Sequence, residues 1–245
     1  MSNLEAAWSY LTTAENWTGA NGLMTPTFDG GWTWSNDSIL ALGIEHLIMS
    51  VAAVTIAALI GLPLGIYLGH VRKGGAATVV ASNVSRAMPT LALLTLFAAS
   101  AIGFGNRAVI IAVAIFALPP ILTNAFTGMA DVDADVRDAA KGIGMTGFQI
   151  ATKVELPLAV PLIAAGLRTS SVQSVATVPL AALVAGGGLG VIINTGIATQ
   201  RYGQVLAGGF IVAVFALTTD ALLGWVQRRV TPAQLRAAAG AKTTA

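Results

Sequence analysis

Five apolar runs, each long enough to cross a bilayer, limit what this 245-residue chain can fold into. A hydrocarbon core of ~30 Å takes about 20 apolar residues of helix. Runs of that length lie near 46–69, 78–102, 108–129, 160–184 and 204–227. Inside lipid, backbone N–H and C=O groups find no water, so such runs fold as helices. Only 10% of the residues are charged, 55% are hydrophobic, and the mean hydropathy is +0.76. A soluble domain carries roughly 25% charged residues. We therefore expect an all-α polytopic membrane protein with five spans.

The basic residues set an expected orientation, because cytoplasmic loops are enriched in Lys and Arg. Residues 1–45 contain no Lys or Arg but hold Glu5, Glu15, Asp29, Asp37 and Glu45. Arg72 and Lys73 follow the first run, and Arg137, Lys141 and Lys153 lie in the connection after the third. Arg228, Arg229, Arg236 and Lys242 follow the fifth. The two remaining connections carry one arginine each, Arg107 and Arg201. We expect the N-terminus outside and the C-terminus in the cytoplasm. The net charge of +2 gives no reason to expect nucleic acid, and the lack of cysteine excludes disulfides and thiol chemistry.

Three parts are expected: an external or interfacial segment 1–38, a membrane domain 39–230, and a cytoplasmic tail 231–245. Residues 1–38 have neither the basic start nor the apolar core of a signal peptide. Leu4, Trp8, Leu11 and Trp17 suggest a short amphipathic helix, and Trp32 and Trp34 follow in a Gly-rich turn. Tryptophan at this density suits a membrane interface. A plain anchor and a contact for an external protein are both open. His46 falls at the outer edge of the first span and reads as an interface residue. Pro63 is expected to kink that span. Gly186-Gly187-Gly188-Leu189-Gly190 lacks the Lys-Ser/Thr of a phosphate loop and reads as a tight outer turn.

Charges within the runs are few. Arg86, Arg168 and Asp220 fall at similar depth, about two helical turns from the cytoplasmic ends. Buried charge in a membrane is costly, so Asp220 either pairs with an arginine or the arginines snorkel separately. Ser170, Gln173, Ser174 and Thr177 recur at helical spacing on the fourth run. Small hydroxylated residues at that spacing pack helices closely, or they line a hydrated path or a subunit interface. The chain carries no nucleotide motif, metal cluster or nucleophile–His–Asp set. Transport energy would come from a partner ATPase or from an ion gradient.

Residues 131–158 form a polar loop expected in the cytoplasm. Within it stand Asp138-Ala139-Ala140, then Gly144, then Val154, Leu156 and Pro157. This spacing resembles the acidic-Ala-Ala, Gly, Ile-x-Leu-Pro loop of permeases of binding-protein-dependent ABC importers. Asp138 stands where that family usually has Glu, and Val154 where it has Ile. Softer matches resemble the osmoprotectant permeases for glycine betaine, choline, carnitine or proline. They are Glu45-His46-Leu47, Leu62-Pro63-Leu64-Gly65-Ile66, Arg86 to Leu94, Asp138 to Thr146, and Gly166-Leu167-Arg168-Thr169.

The resemblance implies a five-span, MetI-like type I importer core in a bacterial plasma membrane, without enzymatic activity or cofactor of its own. It implies two permease subunits, the same or homologous, with two ATPase subunits that bind ATP and Mg, and an external solute-binding protein. The stretch Asp138 to Gly144 would seat on the ATPase, and Leu156-Pro157 would fix the turn back into the fourth span. A permease for an amino acid or other small solute, and a gradient-driven carrier, are the alternatives.

The charge-derived orientation has a direct check. Single cysteines at Ser9 and Thr231 should react with an impermeant thiol reagent from opposite sides, Ser9→Cys from outside intact cells. Labelling of both from one side would break the five-span topology.

Overall fold

The structure is a computed structural model that describes residues 2–19, 24–26, 32–34 and 38–231; the side chains of 24–26, 32–34, 79, 81 and 85–87 lie outside that description. Two short helices, α1 (Asn3–Thr12) and α2 (Ala14–Thr18), come first. Ser2 caps α1 in a capping box with Glu5. A two-stranded antiparallel ribbon follows, β1 (Met24–Pro26) with β2 (Trp32–Trp34), paired Met24 to Trp34. Trp32 and Trp34 thus lie in a strand, where a Gly-rich turn was expected, and this ribbon is the one departure from helix-only secondary structure among the described residues.

The membrane domain is helical: α3 (Ile39–His70), α4 (Gly75–Ala87), α5 (Thr90–Ala98), α6 (Asn106–Ala130), α7 (Ala134–Gly142), α8 (Gly147–Ile150), α9 (Leu156–Thr177), α10 (Gly190–Ala198) and α11 (Tyr202–Val230). A π turn, Ala151–Glu155, joins α8 to α9, and a 3₁₀ stretch, Val178–Val184, extends α9. Among the described residues four helical stretches are long and apolar enough to cross a membrane: Ile39–His70, Asn106–Ala130, Gly147–Val184 and Tyr202–Val230.

The run 78–102 does not form one helix. Met88 is extended (φ −72°, ψ 126°) and Pro89 caps α5, so the run divides into α4 and α5. The cause is local: proline disfavours the helical region for its predecessor and removes one N–H. Pro63, Pro119, Pro120 and Pro161 instead lie inside α3, α6 and α9, which run on past them.

The centre of the bundle is α3 against α6, and it depends on glycine. Gly61, Gly65 and Gly69 stand four residues apart on one face of α3. A Cβ at Gly65 would lie 2.7 Å from both the Ala125 Cβ and the Leu122 carbonyl oxygen. A Cβ at Gly69 would lie 2.6 Å from the Met129 Cβ and the Phe126 oxygen. α9 packs on the neighbouring face of α6, where Gly166 faces Asn124. Small residues at this spacing let helix backbones meet and gain dispersion and Cα–H···O contacts. Above the seam, Met49, Ala53, Leu94, Val109, Val113 and Val178 form the main apolar core.

The N-terminal helices pack onto this body. Tyr10, Leu11 and Trp17 lie against Ile39, Leu42, Leu189, Ile192 and Ile211. The Ser38 hydroxyl donates to the Trp17 carbonyl at 2.7 Å. The expected apolar stripe therefore splits: Leu11 and Trp17 face the bundle, while Leu4 and Trp8 are exposed. His46, expected at the interface, is fully buried; its Nε2 lies 2.9 Å from the Val175 carbonyl and its ring meets Phe215 edge-on. The long α3 carries it into the bundle, where a backbone acceptor takes its Nε2 while Nδ1 is buried without a partner among the described residues.

Filling the seam should cost stability. Gly65→Leu places side chain where backbone already stands, and overpacking of this kind costs at least about 1–3 kcal/mol. We expect a lower membrane level and a lower melting temperature in detergent. Gly209→Ala, with nothing within 4 Å of the new Cβ, should leave both unchanged.

Candidate functional site

The loop 131–158 is built by stops and starts that its own residues supply. Asp133 caps α7 by accepting the Asp135 N–H at 2.8 Å. α7 ends where Gly144 takes φ +84°. The Met145 N–H reaches the Ala140 carbonyl (3.1 Å) and the Gly144 N–H reaches the Lys141 carbonyl (2.9 Å). This paired closure ends helices on a left-handed residue, which glycine adopts without strain. Thr146 and Gln149 then form a capping box that starts α8.

The chain reverses at Ile143–Met145. It does not turn at Leu156-Pro157, where a turn was expected, since Gly147–Val184 is one helical run. Pro157 is accommodated by the π turn before it: the Leu156 N–H bonds the Ala151 carbonyl, five residues back.

Ionic contacts fasten this loop to the end of α3. Glu155 is fully buried. Its Oε2 lies 2.5 Å from His70 Nδ1, and its Oε1 lies 2.8 Å from Arg137 Nε. Arg137 also donates to the His70 carbonyl (3.2 Å), and Arg72 donates to the Val132 carbonyl (2.6 Å). A buried carboxylate needs such partners, since desolvation is otherwise unpaid. Arg137, from the middle of α7, thereby ties that helix to α3 and to the start of α9.

The other face of α7 is open. Val136, Ala139 and Ile143 recur at i, i+3 and i+7, all exposed, and Phe148 on α8 is also exposed, beside Tyr67 and His70 of α3. Asp138 stands beside it, paired with Lys141 at 2.8 Å. The hydrogen bond from Lys141, and then its charge, hold the Asp138 carboxyl below the usual carboxylate range. Of the motif residues, Asp138, Ala139, Gly144 and Pro157 are exposed, Val154 and Leu156 are half-buried, and Ala140 is buried.

In the membrane body the polar face of α9 divides. Ser170 is buried and donates to the Ala117 carbonyl at 2.7 Å, and Ser174 is buried beside it. Ser170 ties α9 to α6, while the Ser174 hydroxyl finds no partner among the described residues. Thr177 donates to the Gln173 carbonyl of its own helix. Gln173 faces an open groove with Arg168 and Asp220. Arg168 and Asp220 meet in a two-point contact, Nε to Oδ1 at 2.6 Å and Nη2 to Oδ2 at 2.7 Å. Arg86 lies on α4, and its side chain falls outside the described residues.

Two buried carboxylates make contacts that the sequence reading did not foresee. Glu45 on α3 accepts from Asn106 Nδ2 (2.6 Å) and from the Gly188 N–H (2.8 Å), while the Gly187 N–H donates to Asn106 Oδ1 (2.8 Å). The glycine run is the tight turn expected, with Gly188 at φ +82°, and a Cβ at Gly187 would collide with the Glu45 carboxylate. Glu155 is the second. Its only local signal is an acidic residue directly before Leu-Pro, while His70 is distant in sequence.

Comparison with known proteins bears on this arrangement. Residues 61–232 match the family described as binding-protein-dependent transport system inner membrane component. A glycine betaine/carnitine/choline transport system permease protein of Bacillus subtilis is 35% identical over 192 residues, covering 78% of this chain and 88% of that one. An osmoprotectant import permease protein of Salmonella typhimurium is 37% identical over 196 residues, 79% of this chain and 83% of that one. Among solved structures, an inward-facing methionine ABC transporter matches with a TM-score of 0.69 at 22% identity, over 79% of this chain and 97% of that one. An amino acid ABC transporter matches at 0.65 and 23%, over 78% and 93%. Those two likenesses speak for the fold. The multi-pass body, the loop pattern and the matches together make this chain a member of the binding-protein-dependent transport system inner membrane component family, the permease component of an ABC importer.

Proposed function

We propose that this permease carries a small zwitterionic or quaternary-amine osmoprotectant into the cytoplasm, driven by ATP that a separate ATPase subunit hydrolyses. The relatives carry the reading: permeases named for glycine betaine, carnitine and choline match 34–36% over more than three-quarters of this chain. ATP and Mg belong to the partner ATPase, and an external binding protein delivers the solute. A second permease subunit, a copy or a homologue, completes the path. The N-terminus lies outside and the C-terminus in the cytoplasm of a bacterial plasma membrane.

The loop supplies the coupling. α7 offers Val136, Ala139 and Ile143 to an apolar groove of the ATPase, with the Asp138–Lys141 pair at its edge. A stripe of this width suits a helix-in-groove contact. Movement of α7 passes through Arg137 to Glu155 and His70, and so to α9 and α3 together. The complex then alternates between outward and inward access as the ATPase subunits close and part. Ser170 holds α9 on α6, leaving Gln173 for the path or the subunit interface.

Uptake into vesicles should require ATP, the ATPase and the binding protein, and should survive collapse of proton and sodium gradients. Solute moved by the purified chain alone on an imposed gradient would make it a carrier. Failure of glycine betaine, choline, carnitine and proline to compete would remove the osmoprotectant assignment alone.

Gly144→Glu should abolish uptake with normal membrane insertion. It imposes left-handed strain of about 1–2 kcal/mol and puts a charge on the docking face.

Arg137→Gln should reduce uptake and leave ATP hydrolysis running without transport. It strips Glu155 of its cation, and removing one partner of a buried pair costs roughly 3–5 kcal/mol. Coupled, wild-type uptake in this variant would refute the lever.

A further inference from the structure

We propose that the groove between α9 and α11 is a station on the solute path, and that a zwitterion binds there by entering the Arg168–Asp220 pair. This rests on the importer reading above. The groove, about 510 Å³, is lined by Arg168, Asp220, Gln227, Gln173, Thr169 and Ala176 among others. That volume suits a small-molecule site.

The position of the pair makes it informative. Arg168 is about 18 Å along the helix from Leu156, and Asp220 about 15 Å from Val230, at 1.5 Å per residue. Each thus lies about three helical turns from that end, within an apolar run that the sequence assigns to hydrocarbon. Yet 34% of the Arg168 side chain and 42% of the Asp220 side chain remain open. An open ion pair at this depth is costly against acyl chains, so water or protein has to face it.

Sorting of the surroundings points to water. Gln227 accepts from Arg168 Nη1 (3.4 Å) and donates to the Pro161 carbonyl (3.2 Å), extending the polar lining toward the loop end. Gly224 is buried beneath the guanidinium, where a Cβ would come within 3.1 Å of it, so α11 makes room for Arg168 to reach across. A different groove, beside α3, is lined mainly by Leu47, Val51, Val54, Leu222 and Leu223 and suits lipid chains. That groove also holds the hydroxyls of Ser50, Thr55, Ser171 and Thr219 but no charged side chain, so the charges are gathered on one side of α9.

The pair also selects by chemistry. Its guanidinium presents two N–H groups that a carboxylate accepts in parallel, as Asp220 does now. A solute carboxylate takes that fork in place of Asp220. The quaternary ammonium, which donates no hydrogen bond, then rests against the freed Asp220 by charge alone. Every charge stays matched through the exchange. A simple cation engages Asp220 and leaves Arg168 unmatched, so the station favours zwitterions over choline.

The cysteine-free chain allows a direct test in the whole transporter, assembled with its ATPase and binding protein. Single cysteines at Thr169, Gln173 and Ala176 should react with an impermeant thiol reagent in inverted vesicles, and those at Ser170 and Ser174 should not. Glycine betaine should slow the reaction at Gln173→Cys more than choline does. Asp220→Asn and Arg168→Gln should each abolish that protection at normal membrane level. Each should also raise the half-saturating betaine concentration about tenfold, the scale of a charge-assisted hydrogen bond.

Three results overturn the station alone, given a wild-type chain that imports normally: unreactive groove cysteines, a disulfide between two copies at Gln173→Cys, or wild-type uptake with Arg168→Asp and Asp220→Arg combined. The second would make a second copy the occupant; the third would make the pair a strut. A wild-type chain that imports nothing with ATP and binding protein overturns the importer reading, and the station with it.

Discussion

In lipid, hydrophobicity does not drive one helix against another, so the contact between α3 and α6 has to be earned by proximity. Gly65 and Gly69 provide it by leaving nothing between the two backbones. The rest of the body follows from that approach. α9 packs on the neighbouring face of α6 through Gly166 and through the Ser170 hydroxyl on the Ala117 carbonyl. α11 then lies against α9, and the Arg168–Asp220 contact joins them. A side chain at Gly65 would part α3 from α6 and shift every later element with it.

The loop is attached to this body by charge. Glu155 is buried where α8 passes into α9, and its two partners come from the end of α3 and the middle of α7. One carboxylate thus joins three segments at the rim of the bundle. Apolar packing alone would let α7 slide, since only Ala140 of its nine residues is buried. Two directed contacts define its position and leave Val136, Ala139 and Ile143 turned outward.

Much of this architecture was legible in the chain, and the reasons differ by element. The runs near 46–69, 108–129, 160–184 and 204–227 reappear inside long helices because span length is an average property, and hydropathy averages well. The run 78–102 divides because one residue, Met88, answers to Pro89, and an average is blind to a single peptide. Gly144 was visible by spacing, but its glycine answers first to a left-handed φ within the chain. His46 was misplaced because a lone histidine carries no sign of the backbone acceptor that will bury it. Glu155 escaped notice because its meaning lies in His70 and Arg137, and no periodicity links residues so far apart. The division of the α9 polar face between Ser170 and Gln173 required knowing where α6 would lie.

The first helix and the last offer a different consequence, one of time. α1 rests on the start of α11, where Gly203 is so close to Ala6 that a Cβ would come within 2.5 Å of it. These two segments lie at opposite ends of the described chain. At about 5–20 residues per second, the ribosome delivers α11 roughly 10–40 s after α1. Throughout that interval the inward faces of Tyr10, Leu11 and Trp17 lack the Ile211 side of their cluster. The chain therefore completes this end of the bundle only when α11 arrives, and a nascent chain stalled before Tyr202 holds an unfinished surface on α1 and α2.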